Sequence, residues 1–566
     1  MSNSDDNSNT AFIAKYKAAI KAKLNRQEFA AYLGIKPDSV IRRRLSIYTA
    51  TGLDLPLLEN CVDFDDTVAI GVVKVEKFEE FYKDILYKDS GPETIDLTSS
   101  SDKKIYIITA AQNATPIHEP FFAALLKYCE LRDAELMVIP YRYKNPTSLW
   151  SDTNKGGEWW FSSLEPYLVD TKVKITKSLQ MLGQIKTQPT AVTPLSGFDA
   201  FTGSDSAILG HPKVQLKTIA TPSKQMPKIL TTTGACTVEN YTDSKAGHKG
   251  RFHHNISALV VEVDGDKFHL RHVHGEDDGS FYDLQYHYTP RGRSLYGRVA
   301  AFVPGDIHAE FVDKSVERAM FGEGSICDVL NPETIAYHDI EDFYRRNHHH
   351  NGNDVIAFGK HHYGRNNVEE GLQMSADFID RNARPDTMNL IVRANHDEAF
   401  DRWLADADPK YDPENARFYY YMKFHQLDSV AMTDTGFSYI DAFEFWCNNP
   451  LDQLGIQKND NVVFLKRDES FVVAGIEIGF HGDKGINGSR GSAQAFSKIG
   501  PKTIIGHSHS PSITEGCYQV GLSAQINLEY ASGPSSWLHS HCVVYPNGSR
   551  VLLNVIDGDW RGIYDE

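Results

Sequence analysis

The chain has 566 residues, enough for more than one domain, and length alone sets three as the expectation. Its 58 Lys and Arg against 75 Asp and Glu leave a formal charge of −17, which argues against a general polyanion-coating protein but leaves room for a local basic patch. Seven scattered cysteines without a C-x-x-C pair read as reduced thiols of a cytosolic protein, mostly filling cores.

The polar start (1–9) reads as a disordered tail with no secretory h-region, and no run of about 20 apolar residues suggests a membrane span. Residues 11–24 have helical spacing, with Phe12, Ile13, Tyr16, Ile20 and Leu24 on one side. Asn25 can cap a short helix carrying Phe29, Ala30 and Leu33. Gly34 then supplies a turn, and Pro37 opens a second helix with Val40, Ile41 and Leu45. Helix, Gly-containing turn, helix is a helix-turn-helix pattern, and Arg42, Arg43 and Arg44 would meet phosphates or base edges. A packing hairpin with a solvated arginine run would look similar. The local balance favours DNA, because residues 14–44 hold nine Lys/Arg against two Asp/Glu.

Residues 77–87 have an amphipathic helical pattern, and 90–103 read as a polar linker. A strand over 105–108, a helix over 119–131 and a strand over 136–139 predict a parallel pair in an α/β module. Gln112, Asn113 and His118 lie in the loop after its first strand, where ordinary turn chemistry is the simpler account. Trp150, Trp159, Trp160 and Phe161 form either an aromatic platform for bases or a packing cluster, the second being favoured. Asp264-Gly265 centres a hairpin over 257–274, with His269, His272 and His274 expected on one polar face.

The second half repeats one pattern. Residues 299–308 are an apolar run that ends at Gly305 and delivers Asp306 and His308. Residues 334–342 end in Asp339 and Asp342, and 389–397 end in Asn395, His396 and Asp397. His481 follows another apolar segment, and 503–509 end in Gly-His507-Ser-His509. Such runs predict buried parallel strands, whose carboxyl ends are where open α/β sheets bind ligands. Oxygen and imidazole groups without thiolates suit Mn, Fe or Zn, and seven of them suffice for two ions with a shared carboxylate, a site for attacking phosphorus esters. Between these ends lie a histidine-rich insertion (347–363), a helix over 368–383 and an aromatic insertion (401–450) expected to cap the site or contact another subunit. A glycine-rich loop over 484–491 offers Lys484 and Arg490 as phosphate clamps.

The order D-x-H, D-x-x-D, N-H-D, a lone His and G-H-x-H resembles the calcineurin-like metallophosphoesterase superfamily over roughly 296–560. The resemblance implies that Asp306, His308 and His509 hold one ion, that Asp339 bridges, and that Asn395, His481 and His507 hold the other. His396 would then protonate the leaving group, oriented by Asp397. Two departures stand out: His338 occupies the position of the usual Gly before the bridging Asp, and Phe343 follows Asp342 where Ser/Thr protein phosphatases carry Asp-Arg-Gly. The pattern is most similar to DNA-repair nucleases of the Mre and SbcCD type, which implies Mn2+, with Mg2+, Fe2+ or Zn2+ as alternatives. The long first half with a helix-turn-helix start also resembles pre-early DNA-degrading proteins of Tequintavirus-type phages, implying destruction of host DNA in the host cytoplasm.

The expected class is α/β: a C-terminal metallophosphoesterase β-sandwich flanked by helices (αββα), after a helix-turn-helix and a middle α/β domain. Its expected segments are a tail at 1–9, a DNA-binding arm at 10–56, a helical linker region at 57–103, a middle domain at 104–295 and the phosphoesterase domain at 296–566. The expected function is a two-metal DNase, with DNA and further copies of the chain as partners and no membrane. A nucleotide or other small-molecule phosphoesterase is the alternative, and a DNA-binding regulator with an inert phosphoesterase fold is the non-enzymatic one. The inert reading is disfavoured because every ligand position carries a competent residue.

Overall fold

The computed structural model describes residues 94–98, 103–143, 159–222, 225–350, 352–434, 436–448, 461–528 and 532–563, together with positions 12, 13, 15–17, 19, 26–33, 40, 43, 44, 47 and 55. The tail at 1–9, the helix expected over 77–87, Gly34, Arg42 and Trp150 lie outside these residues. Two units divide the chain, one comprising residues 1–93 and 154–159 and the other the remainder.

In the smaller unit, helix α1 (Arg26–Leu33) contributes Phe29 and Ala30 to a core with Phe12, Tyr16, Ala19, Val40, Ile47 and Leu55. Phe29 meets Phe12 and Tyr16 edge-on, with ring centroids 5.8 and 5.3 Å apart. Two of the arginines assigned to DNA are half-buried and already engaged. The Arg43 guanidinium lies 5.1 Å from the Phe12 ring centroid, and Arg44 Nε donates to the Leu55 carbonyl.

The larger unit is mixed α/β, with several sheets and helices. Its first sheet follows the sequence closely. Strand β1 (Lys104–Gln112), helix α2 (Glu119–Arg132) and strand β2 (Ala134–Tyr141) form the expected parallel pair, and β3 (Ser257–Asp264) and β4 (Lys267–His274) form the expected hairpin. Local hydrogen bonding accounts for the three polar residues at the end of β1 and in the loop after it. Gln112 Nε2 donates to the Asn240 carbonyl, Asn113 Oδ1 accepts from the Tyr143 amide, and His118 Nδ1 accepts from the Phe121 amide to cap α2. Trp160 is a core residue whose Nε1 donates to the Ala111 carbonyl. The single polar histidine face on β4 is not found. His272 and His274 share a face, with ring centroids 6.2 Å apart, while His269 turns the other way and meets the Asp559 carbonyl. A strand alternates with period two, so positions 269 and 272 cannot share a face.

A second sheet has six strands. Strands β5 (Ala301–Val303), β6 (Thr334–His338), β7 (Met388–Val392) and β8 (Val462–Phe464) run parallel, with β5 to β8 side by side. Strands β9 (Ser540–Val544) and β10 (Arg550–Asn554) extend it antiparallel beyond β5. One core contains Phe302, Ile335, Tyr337 and Ile391 with Leu372 and Phe378 of α3 (Val368–Asn382) and Phe400 and Trp403 of α4 (Asp397–Asp406). The opposite set, Val303, Ala336, Leu390 and Val392, shares a core with Ile476, Ile504, Ile513 and Tyr518 of an eleven-stranded sheet. Parallel strands covered on both faces read as continuous apolar runs, which is why these segments stood out in the sequence.

The eleven-stranded sheet crosses the boundary drawn at residue 296. Ile513 pairs with Leu216, so strands from both expected domains form one sheet and a single unit. The end of the expected linker also belongs to it, because Ile95–Asp96 pairs with Val173 and Lys174. A buried ionic network ties the hairpin to later residues. Glu262 lies 2.7 Å from Arg271 and 3.1 Å from Arg132, and its other oxygen accepts from the amides of Gly562 and Ile563. Cys236, Cys327, Cys447, Cys517 and Cys542 are buried and unbridged, and Cys129 is half-buried. Among the described residues no helix is long and apolar enough to cross a membrane.

Candidate metal centre

Parallel strands β5, β6 and β7 end side by side, so the polar residues after them converge. Asp339 directly follows β6, Asp306 and His308 follow β5, and Asn395 and His396 follow β7. His507 and His509 follow the strand Lys502–Ile505, and His481 follows Ile476–Glu477, both in the facing sheet. Backbone bonds lock the first two ends together: the amides of Ile307, His308 and Ala309 donate to the carbonyls of His338, Asp339 and Ile340. The Asp306 amide donates to Gly521, and its carbonyl accepts from Ser523.

Asp306, His308, Asp339 and His509 bring one ligand atom each within 4.8 Å of all the others, and all four residues are buried. His308 Nε2 is 3.1 Å from His509 Nε2, which is 3.2 Å from Asp306 Oδ2. Ligand atoms about 2.1 Å from a common ion stand about 3–3.5 Å from one another, so this spacing suits one divalent ion. Asp339 Oδ2 is the hub of the wider group, 3.7 Å from His308 Nε2, 3.7 Å from His481 Nε2 and 3.9 Å from His396 Nε2. The His507 ring lies 5.4 Å from that of His481, and the His507 amide donates to Asp306 Oδ2 at 2.7 Å.

Two further observations fit a metal. Asp306 Oδ1, Asp339 Oδ1, Asn395 Oδ1 and both ring nitrogens of His481 are buried without a hydrogen-bond partner. An orphaned buried polar atom costs about 1–3 kcal/mol, so several at one place imply a partner not made of protein. Strain is concentrated there too: His308, Asp339, His507 and His509 have φ of +46°, +51°, +74° and +59°. Such non-glycine conformations cluster where function requires them.

The electrostatics are lopsided. Burial, then the negative charges of Asp306, Asp397, Asp342 and Asp483, push the Asp339 carboxyl well above its usual range. Burial likewise opposes the charged form of Asp306, but the hydrogen bond from His509 and the neighbouring His481 and His308 hold its carboxyl below the usual range. Burial drives His481 well below the ordinary imidazole value, outweighing the pull of Asp306. A divalent cation would relieve the carboxylate crowding and leave the imidazoles neutral, the form that ligates.

Sequence reasoning placed the supporting residues less well. The Asp397 carboxylate accepts from the amides of Glu341 and Ala394, at 3.2 and 3.0 Å, and thereby braces the loop after β6 against the start of α4. Orientation of His396 comes instead from the Asp342 carbonyl, 2.8 Å from its Nδ1. A Nδ1–H donated to a carbonyl leaves Nε2 as the atom that exchanges a proton. The Asp342 side chain meets His308 Nδ1 at 3.0 Å, the carboxylate partner that a ligating histidine characteristically has. The D-x-x-D spacing was the signal for it. Lys484 is exposed, 3.4 Å from Glu398, and bridges to Arg490 across the loop. Of the insertions, His348 and His350 line a cavity of about 690 Å³ with Arg346, Lys360 and Arg402, and Arg402 donates to the Asn395 carbonyl. Phe418, Phe443 and Trp446 enter the core, while Tyr420, Phe424 and Leu427 remain exposed.

No family model matches the chain. Protein A1 of Escherichia phage T5 is 32% identical over 496 residues, which span 83% of this chain and 86% of that protein. At that identity and coverage the chain belongs to the family of Protein A1, consistent with a phage origin.

Proposed function

We propose that the chain is a two-metal phosphodiesterase that hydrolyses DNA, working in a phage-infected cell, with the calcineurin-like metallophosphoesterase arrangement at its core. The observation that carries this reading is the convergence of imidazoles from three different strand ends on a crowded, buried Asp339. Asp306, His308 and His509 would hold one ion and Asn395, His481 and His507 the other, with Asp339 shared. Bound there, two divalent ions, Mn2+ by preference, would supply Lewis-acid stabilisation and a nucleophilic water at neutral pH.

The chain's own residues do the rest. His396 reaches toward the centre with Nε2 and stays partly open to solvent, as a group must that exchanges a proton with a departing oxygen. The Asp342 carbonyl fixes its ring, and Asp397 fixes the backbone that presents it. Lys484 and Arg490 stand on the loop after His481, where they would meet flanking phosphates. Arg42 is the proposed DNA contact of the arm, since Arg43 and Arg44 are engaged with Phe12 and Leu55. The exposed Tyr420, Phe424 and Leu427 on α5 (Ala416–Asp428) support self-association.

The test is a gel assay on closed-circular and linear duplex DNA with Mn2+, Mg2+ or EDTA, using wild type, His396→Ala and Asp339→Asn. Metal-dependent loss of DNA is expected. His396→Ala should lower the rate about 10²–10⁴-fold without changing Mn2+ stoichiometry. Intact DNA beside rapid turnover of a nucleotide would move the assignment to a small-molecule phosphoesterase. No turnover of either would leave an inert fold.

A further inference from the structure

We propose that His338 is a positioning residue of the metal centre, the outer partner that orients His481 toward its ion; this rests on the two-metal reading above. His338 ends β6 and lies on the same side of the strand as Ala336, facing the eleven-stranded sheet. It is fully buried, and neither of its ring nitrogens has a hydrogen-bond partner. The same is true of His481, whose ring centroid lies 5.7 Å from that of His338 at an interplanar angle of 33°. Four orphaned nitrogens on two neighbouring rings are not a packing solution. An apolar side chain at 338 would fill the space without leaving a buried N–H unpaired.

Ligating histidines hold their second ring nitrogen against an outer partner, which fixes tautomer and direction. His308 has Asp342 for this purpose. Among the described residues two rings lie beside His481: that of His507, 5.4 Å away and itself assigned to the second ion, and that of His338, 5.7 Å away and close enough to meet it through one water. Gly506 lies beside the His338 backbone: a Cβ at 506 would stand 3.4 Å from the His338 Cβ. The resembling superfamily carries Gly at the position of His338, so this outer contact would be a property of this chain rather than of the site in general.

The test compares wild type with His338→Leu, His338→Gly and His338→Gln by Mn2+ titration calorimetry and low-temperature EPR, with melting in EDTA as the check on folding. Leu keeps the volume without nitrogens, Gly restores the superfamily residue, and Gln keeps a polar group. Wild type should bind two Mn2+ and give an exchange-coupled spectrum. Leu and Gly should keep one tight ion, bind the second about 10–100-fold more weakly and lose the coupled signal, while Gln recovers most of the affinity. If Leu does not fold, Gly decides. Two tight ions and a coupled signal in the folded Leu or Gly protein would overturn the role of His338 and leave the two-metal reading standing. A wild type that does not bind two ions would overturn both.

Discussion

Gly506→Ala should disable the centre through a single methyl group. A Cβ at 506 would lie 2.1 Å from Asp306 Oδ1, whereas a carbon and a carbonyl-type oxygen approach no closer than about 3.3 Å, so the two must separate by about 1 Å. Neither side can move freely. Asp306 Oδ2 is held by the His507 amide and His509, its main chain by Gly521 and Ser523, and the Gly506 amide donates to the His481 carbonyl at 2.7 Å. Relief therefore displaces either a ligand carboxylate or the loop bearing His507 and His509. A misplacement of about 1 Å is enough to lose roughly 10²-fold in rate, about 2.7 kcal/mol of transition-state stabilisation. Gly506 is not among the glycines with positive φ, so the methyl group adds collision and not backbone strain. The assay is steady-state hydrolysis of a chromogenic phosphodiester with Mn2+, alongside calorimetric Mn2+ binding. Gly516→Ala is the control, since a Cβ there meets nothing nearer than Lys502 Cα at 4.0 Å. Rates and Mn2+ binding within threefold of wild type in Gly506→Ala would refute the placement of Asp306 as a ligand.

Asp339→Asn should melt at a higher temperature than wild type in EDTA, because it removes a carboxyl that burial and four neighbouring carboxylates disfavour. With Mn2+ at 100 times Kd the order should reverse, since wild type gains about 2.7 kcal/mol per occupied site and the variant loses the shared ligand. Acid should unfold the larger unit through its buried neutral histidines. Burial holds His211, His254 and His272 down at about 4, against an ordinary 6.5, so below pH 6.5 the unfolded chain takes up protons that the fold refuses. Stability should be intact above pH 6.5, fall through the window from 6.5 to 4 by on the order of 3 kcal/mol per histidine, and level off below it; a pH series of denaturant midpoints that stays flat there would contradict this.

What the sequence discloses is what is local. The runs ending in Asp306, Asp339 and Asn395 could be read because a parallel strand covered on both faces is apolar throughout and its ligands sit at one end. Their convergence follows from adjacency of the strands and needs no further information. Pairings between distant segments are another matter. Nothing in residues 216–219 announces Ser512–Thr514 as a neighbour, and a boundary at 296 drawn from motif extent divides a sheet that hydrogen bonds unite. Arg43 and Arg44 look free for DNA in the sequence because Phe12 and Leu55, which engage them, are far along the chain. The strand period alone puts His269 on the face opposite His272 and His274.

The cations near the centre explain why its charge remains unbalanced. Arg393 pairs with Asp401 and, at 2.7 Å, with Asp441, and Arg467 Nη2 donates to both oxygens of Asp483 while its Nε approaches Glu398. These arginines hold the walls of the site together, and their charge is largely spent on those partners. Inside them, Asp339 faces Asp306, Asp342 and Asp397 among imidazoles; burial opposes protonation of His481, His509 and His396, while Asp342 raises His308. Had the site evolved to be stable empty, one arginine directed at Asp339 would have neutralised it. Burial and its carboxylate neighbours leave Asp339 inclined to take a proton, and compact divalent charge would relieve the same crowding. On the proposed two-metal reading, the electrostatic frustration of the centre would be the source of its affinity for metal, and the strained turns that carry His308, Asp339, His507 and His509 are held in place by the backbone bonds and ion pairs around it.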